Sequence, residues 1–97
     1  MLVSNYIHYI DDASAVAATR PAHREYMKWL LDTGRLAAGG PFEDGTGALF
    51  VYEVDSPAEA QRIAADDPYT AAGVIKDHRL QPWHLVYADP ALFTPAE

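Results

Sequence analysis

Cysteine is absent from this chain, which excludes disulfides, thiol nucleophiles and thiolate metal sites. Basic residues are scarce: seven Lys and Arg stand against fourteen Asp and Glu, for a net charge of −7. Such a surface repels phosphate backbones, so no nucleic-acid partner is expected. No apolar run approaches the roughly 20 residues needed to span a bilayer, and no membrane association is expected either. The start, Met1-Leu2-Val3-Ser4-Asn5, lacks the basic stretch and small-residue cleavage site of a signal peptide. Together with the missing cysteine this gives a cytoplasmic expectation. Serine is sparse, and neither Ser4 nor Ser56 stands in a triad context. His8, His78 and His84 are scattered without an H-x-H or H-E-x-x-H spacing, so no metal is expected. Nothing matches a P-loop or a dinucleotide fingerprint, and no cofactor is expected.

What is present is an ordinary folding composition, 49% hydrophobic and 22% charged, in 97 residues, enough for one domain spanning 1–97. Leu2 to Ile10 reads as a strand, and Asp11 to Thr19 as an Ala-rich connector. Arg20-Pro21 fits a helix start, because proline suits the first helical position. Ala22, Tyr26, Trp29, Leu30 and Thr33 then recur at helical spacing, and Gly34 supplies the stop. The first helix is therefore expected over Pro21 to Thr33. Leu36 to Gly40 is a short strand, Asp44-Gly45 a turn, and Ala48 to Val54 the clearest strand of the chain. Ser56-Pro57-Ala58-Glu59 forms a capping box that opens a second helix ending before Asp67-Pro68. The last strand is expected over Arg79 to Tyr87, with Pro82 tolerable only on an edge. The order β-α-β-β-α-β predicts an α+β, ferredoxin-like antiparallel sheet with two helices on one face.

Both faces of that sheet read as apolar. Strand three offers Ala48, Phe50, Tyr52 and Val54 on one side, and Leu49 and Val51 on the other. Strand one opposes Leu2, Tyr6 and Ile10 to Val3, Ile7 and Tyr9. Helices cover one face only, so a second copy of the chain is the simplest cover for the other. The tail, 88–97, carries Leu92 and Phe93 and is expected either to clasp that partner or to close the open face itself.

Two residues stand out as chemistry-bearing. His23 lies four residues before Met27 and seven before Leu30, on or beside the sheet-facing side of the first helix. Burial and the positive helix end both disfavour imidazolium, leaving the neutral ring that a general base needs. A core histidine bonded to the backbone is the plainer alternative. Asp67 continues the apolar register of Ala60, Ile63 and Ala64. A carboxylate buried there without a partner would cost several kcal/mol, so it requires one, with His23 or Arg20 within reach in this topology. The plainer alternative is a turn residue ahead of Pro68. Arg20 is suited to hold an anionic oxygen, as well as to pair with Asp67. Gly39, Gly40 and Gly73 permit close backbone approach. Tyr69 and Trp83 are candidates either for an aromatic pocket wall or for the core.

Arg20-Pro21-Ala22-His23, Gly34-Arg35-Leu36, Ala38-Gly39-Gly40-Pro41, Asp67 to Val74 and Gln81-Pro82-Trp83 together resemble the YciI-like (YCII-related) family, from strand one to about Trp83. The resemblance implies a dimeric α/β-barrel fold similar to the muconolactone isomerase group. It also implies that the family's paired histidine and aspartate fall on His23 and Asp67. One branch looks like dehydrochlorinases of chlorinated hydroxyquinols. Two functions follow as expectations. The first is a cofactor-free lyase or isomerase acting on a small aromatic or anionic molecule, with His23 and Asp67 catalytic and Arg20, Gly40, Tyr69 and Gly73 binding substrate. The second is a non-catalytic small-ligand-binding or accessory, regulatory dimer; in either case the expected partner is the chain itself, as a homodimer or a higher assembly.

Overall fold

A computed structural model describes residues 1–95. The elements run β1 (Leu2–Tyr9), α1 (Ala13–Asp32), β2 (Leu36–Pro41), β3 (Gly47–Glu53), α2 (Pro57–Asp66), α3 (Pro68–Ala71) and β4 (Ile75–Trp83), followed by a short 3₁₀ turn at Pro90–Leu92. The four strands form one antiparallel sheet in the order β2-β3-β1-β4. This is the α+β, ferredoxin-like arrangement that the element order predicts. Its core is Val3 and Ile7 from β1, Ala48, Phe50 and Tyr52 from β3, and Val16, Leu30, Ala60, Ile63 and Tyr69 from the helices. The alternation expected for β3 is the one found: Phe50 and Tyr52 are buried while Leu49 is 41% exposed.

Three boundaries differ from the sequence expectation. The first helix begins at Ala13, not Pro21, because Asp12 caps it by accepting the Ala15 N–H at 3.1 Å. The alanines between them are strong helix formers. Pro21 therefore lies inside the helix, where it lacks the N–H that would bond the Ala17 carbonyl. Ala17 and Pro21 are both exposed, so water can take that carbonyl. The buried seam of α1 is Val16, His23 and Leu30, each seven residues apart, while Ala22 and Trp29 face outward.

The last strand runs Ile75–Trp83 rather than 79–87. Its register is set by β1, from Tyr9 opposite Ile75 to Leu2 opposite Trp83, and beyond Trp83 no neighbouring strand remains. As expected, β4 is an edge strand and accommodates Pro82. A short helix not foreseen from the sequence, α3, occupies Pro68–Ala71 and ends at Gly73, whose φ of +71° is a left-handed conformation that glycine adopts without strain. The face away from the helices stays open, with Tyr6, Leu49 and Trp83 each more than 40% exposed. The tail from Leu85 onward is exposed as well; of its expected interface segment 88–97, residues 96–97 lie outside the described residues.

Candidate active site

His23 and Asp67 meet. The ring Nδ1–H donates to Asp67 Oδ1 at 2.9 Å and Oδ2 at 3.1 Å, and the two residues are only 6% and 3% exposed. Their positions follow from the local folds. His23 stands at the centre of the α1 seam, so the dipole at a helix start does not act on it. Asp67 closes α2, whose buried face is Ala60, Ile63 and Ala64, and caps α3 by accepting the Tyr69 N–H at 2.9 Å. The carboxylate thus gains an imidazole N–H and a backbone N–H, which offset the cost of burial.

The imidazole packs against two aromatic rings. Tyr69 stacks on it with centroids 4.0 Å apart and planes 18° from parallel, and Phe50 lies 5.4 Å away on a tilt. Gly39 stands opposite Phe50 in the sheet, and a Cβ there would come within 2.6 Å of the Phe50 ring. Among the described residues Asn5 Oδ1 is the sole fully buried side-chain polar atom lacking a partner. His23 Nε2, which no protein group engages, is not among the fully buried atoms.

Arg20 lies one helical turn before His23, and its Nε–H donates to Tyr69 Oη at 3.4 Å rather than to Asp67. Tyr9 packs edge-on to Tyr69, with centroids 5.4 Å apart. Tyr9 and Arg20 also line a cleft of about 320 Å³, together with Ile10, Val16, Asp44 and Thr46; His23 and Asp67 are not in its lining. A larger hollow, about 540 Å³, is lined only by the tail between Val86 and Phe93 and holds none of these groups. Burial, with the nearby Tyr69 adding to it, raises the Tyr9 phenol to about 12. Burial likewise raises Tyr26 to about 12, with Asp66 and Asp67 contributing; its hydroxyl donates to the Ile63 carbonyl at 2.7 Å. Both phenols stay protonated near neutrality, and the Tyr26 proton is committed to that carbonyl.

Of the residues predicted for the site, His23, Asp67, Arg20 and Tyr69 come together. Tyr69 is buried to 1% exposure, so its ring forms the backing of the imidazole. Gly40 pairs with Leu49 in the open-face row and is separated from His23 by the sheet; the adjacent Gly39 is the one beside the Phe50 ring. Gly73 ends α3, with open space where a Cβ would stand. Trp83 is 44% exposed on the open face. Tyr9, Phe50 and Asn5 were not singled out from the sequence. Asn5 was detectable as a polar residue in the inward register of Val3 and Ile7.

Residues 1–84 match the family model described as YCII-related domain. The chain is 35% identical over 80 residues to the YciI protein of Escherichia coli O6:H1, covering 72% of this chain and 82% of that protein. It is 40% identical over 63 residues to the YjpA protein of Bacillus subtilis, covering 61% and 74% respectively. Among solved structures, 5-chloro-2-hydroxyhydroquinone dehydrochlorinase (TftG) of Burkholderia phenoliruptrix, in complex with 2,5-dihydroxybenzoquinone, superposes with a TM-score of 0.79 at 23% identity, covering 87% of this chain and 94% of that one. An antibiotic biosynthesis monooxygenase superposes with a TM-score of 0.60 at 16% identity, covering 90% and 100%. At these identities the two structures speak for the fold.

Proposed function

This chain belongs to the YCII-related domain family, and from that premise we propose that it is a cofactor-free acid–base enzyme, a lyase or isomerase acting on a small aromatic or anionic molecule. The observation that carries this reading is the buried His23–Asp67 pair with Nε2 left open. Asp67 holds the proton on Nδ1, which fixes the tautomer and leaves the Nε2 lone pair to accept a proton from substrate. The carboxylate then stabilises the imidazolium that forms. Arg20 and Tyr9, at the cleft, are placed to hold an anionic substrate oxygen. The dehydrochlorinase fold neighbour supplies a candidate substrate class, the chlorinated hydroxyquinols. Loss of HCl from such a ring needs a base for the proton and room for chloride, with no external oxidant.

The test is chloride release from 5-chloro-2-hydroxyhydroquinone under anaerobic conditions. Wild type is expected to turn over, with His23→Ala slower by roughly 10²–10⁴-fold and Asp67→Asn impaired while still folded. Undiminished turnover in His23→Ala would reject the assignment. A second reading draws on one observation: Asp67 also caps α3, so the pair has a structural duty independent of chemistry. In that reading the chain is a ligand-binding or regulatory module, and calorimetry would show 2,5-dihydroxybenzoquinone binding without any substrate turning over.

The partner we assign to the open sheet face is a second copy, because Leu2, Tyr6, Leu49 and Trp83 share that face while Leu92 and Phe93 project from the exposed tail. Sedimentation equilibrium is expected to give a dimer mass; a monomer mass would overturn this. No helix among the described residues is long and apolar enough to cross a membrane. The cytoplasm is the compartment this reading assigns.

A further inference from the structure

Tyr9 and Arg20 line the cleft on the helix side of the sheet, whereas His23, Asp67 and Tyr69 do not. Tyr69 nevertheless touches each of the other four. Its ring stacks on the imidazole at 4.0 Å, and its backbone N–H donates to Asp67 Oδ1 at 2.9 Å. The same ring meets Tyr9 edge-on at 5.4 Å, and its hydroxyl accepts the Arg20 Nε–H at 3.4 Å. The local chain explains this posture. Asp67 caps α3 and Pro68 fills its first position, so Tyr69 follows with its backbone bound and its side chain buried to 1% exposure. A phenol held in this way keeps a fixed length between the base at one end and the guanidinium at the other.

Arginine carries five N–H donors in a planar fork. Arg20 commits Nε to Tyr69, and among the described residues its four Nη–H groups have no hydrogen-bond partner. That orientation leaves the Nη end for the two oxygens of a carboxylate or of a vicinal diphenol monoanion. Asp11, Asp12 and Asp44 line the same cleft, so a second negative charge on the ligand is disfavoured. We propose that Tyr69 is a positioning residue that ties the anion clamp to the base. Its hydroxyl aims the Arg20 guanidinium at an aromatic monoanion, while its ring holds the His23 imidazole. This assignment rests on the acid–base reading above and adds the residue that fixes the separation of its two parts. Tyr69 lies on the helix side, away from the face given to the second copy.

Benzoate is the probe, an aromatic monoanion with no proton to abstract, so its binding does not depend on turnover. Affinities come from NMR titration of the intact protein. Arg20→Gln is expected to weaken benzoate at least roughly tenfold. Tyr69→Phe, which keeps the ring and the backbone N–H but removes the hydroxyl, should weaken it roughly threefold to tenfold. The double variant should bind no more weakly than Arg20→Gln alone, because the hydroxyl acts through the guanidinium. Phthalate, the same ring with a second carboxylate, should bind wild type at least roughly threefold more weakly than benzoate. Benzoate should also shift the His23 ring resonances in wild type, and less so in Tyr69→Phe. Without ligand, the Arg20 Nε–H should exchange with solvent at least roughly tenfold more slowly than that of exposed Arg24.

Equal losses from Tyr69→Phe with and without Arg20→Gln would overturn the proposal, since the hydroxyl would then act on the ligand by itself. An unprotected Arg20 Nε–H in wild type would overturn it with no variant required, and so would a wild type that does not bind benzoate. A protein that binds benzoate as described yet releases no chloride keeps the positioning role and loses the acid–base reading.

Discussion

The molecule holds the same two side chains in the same contact twice, once on each face of its sheet. His23 and Asp67 meet at 2.9 Å with side chains 8% and 4% exposed; His8 and Asp77 meet at 2.8 Å with side chains 39% and 59% exposed. Distance does not distinguish them, and surroundings do. Water screens the open-face pair and would solvate either partner alone, so the pair adds little to stability. Behind the helices neither group has that refuge, and losing one leaves the other stranded. The same contact is therefore a weak tie on one face and a structural commitment on the other.

The sharpest way to break that contrast is to delete each carboxylate. Asp67→Ala removes the imidazole's partner and the α3 cap together, and should cost about 3–5 kcal/mol in denaturant unfolding. Asp77→Ala should cost less than about 1 kcal/mol. Equal costs would mean that burial does not govern these pairs. Adjacent glycines give a second, smaller contrast. Gly39→Ala drives a Cβ to 2.6 Å from the Phe50 ring on the helix face and should destabilise by about 1–3 kcal/mol. Gly40→Ala meets nothing within 4 Å and should stay within about 0.5 kcal/mol.

Alkaline titration sharpens the contrast from another side. Tyr9 and Tyr26, on the helix side, are raised by burial from 10.0 to about 12. A raised folded value means the native state favours the protonated phenol. The stability this provides is complete below about pH 10 and is lost as pH climbs through about 12. Tyr26→Phe should flatten that decline, as read by unfolding midpoints between pH 9 and 12 (roughly the window those values set). The smallest expected effect is that of salt. Raising ionic strength toward about 1 M should erase the Asp77→Ala difference while leaving that of Asp67→Ala nearly intact.

What the sequence disclosed about this arrangement depended on whether the signal was local. Asp67 was legible because one carboxylate continued an apolar helical register and demanded a partner. His23 was legible as that partner. Its setting in mid-helix is not legible, since Arg20-Pro21 mimics a helix start, and an interior proline on a solvent-facing turn breaks no local rule that could expose it. Gly39 and Gly40 differ only by strand parity, and a one-residue ambiguity in register moves a residue to the other face. The bounds of β4 were hidden because β1, far away in sequence, sets where the ladder ends. His8 and Asp77 are 69 residues apart, and only the finished register makes them neighbours.

Asp67 Oδ1 receives both the imidazole N–H and the amide N–H of Tyr69. One oxygen thereby joins the posture of the ring to the fraying of a four-residue helix. Any occupant that steadies His23 must also slow solvent exchange of the Tyr69 amide, and by reciprocity a loosened corner must weaken the hold on that occupant. A single backbone proton is thus a reporter of whether the His23 ring is engaged.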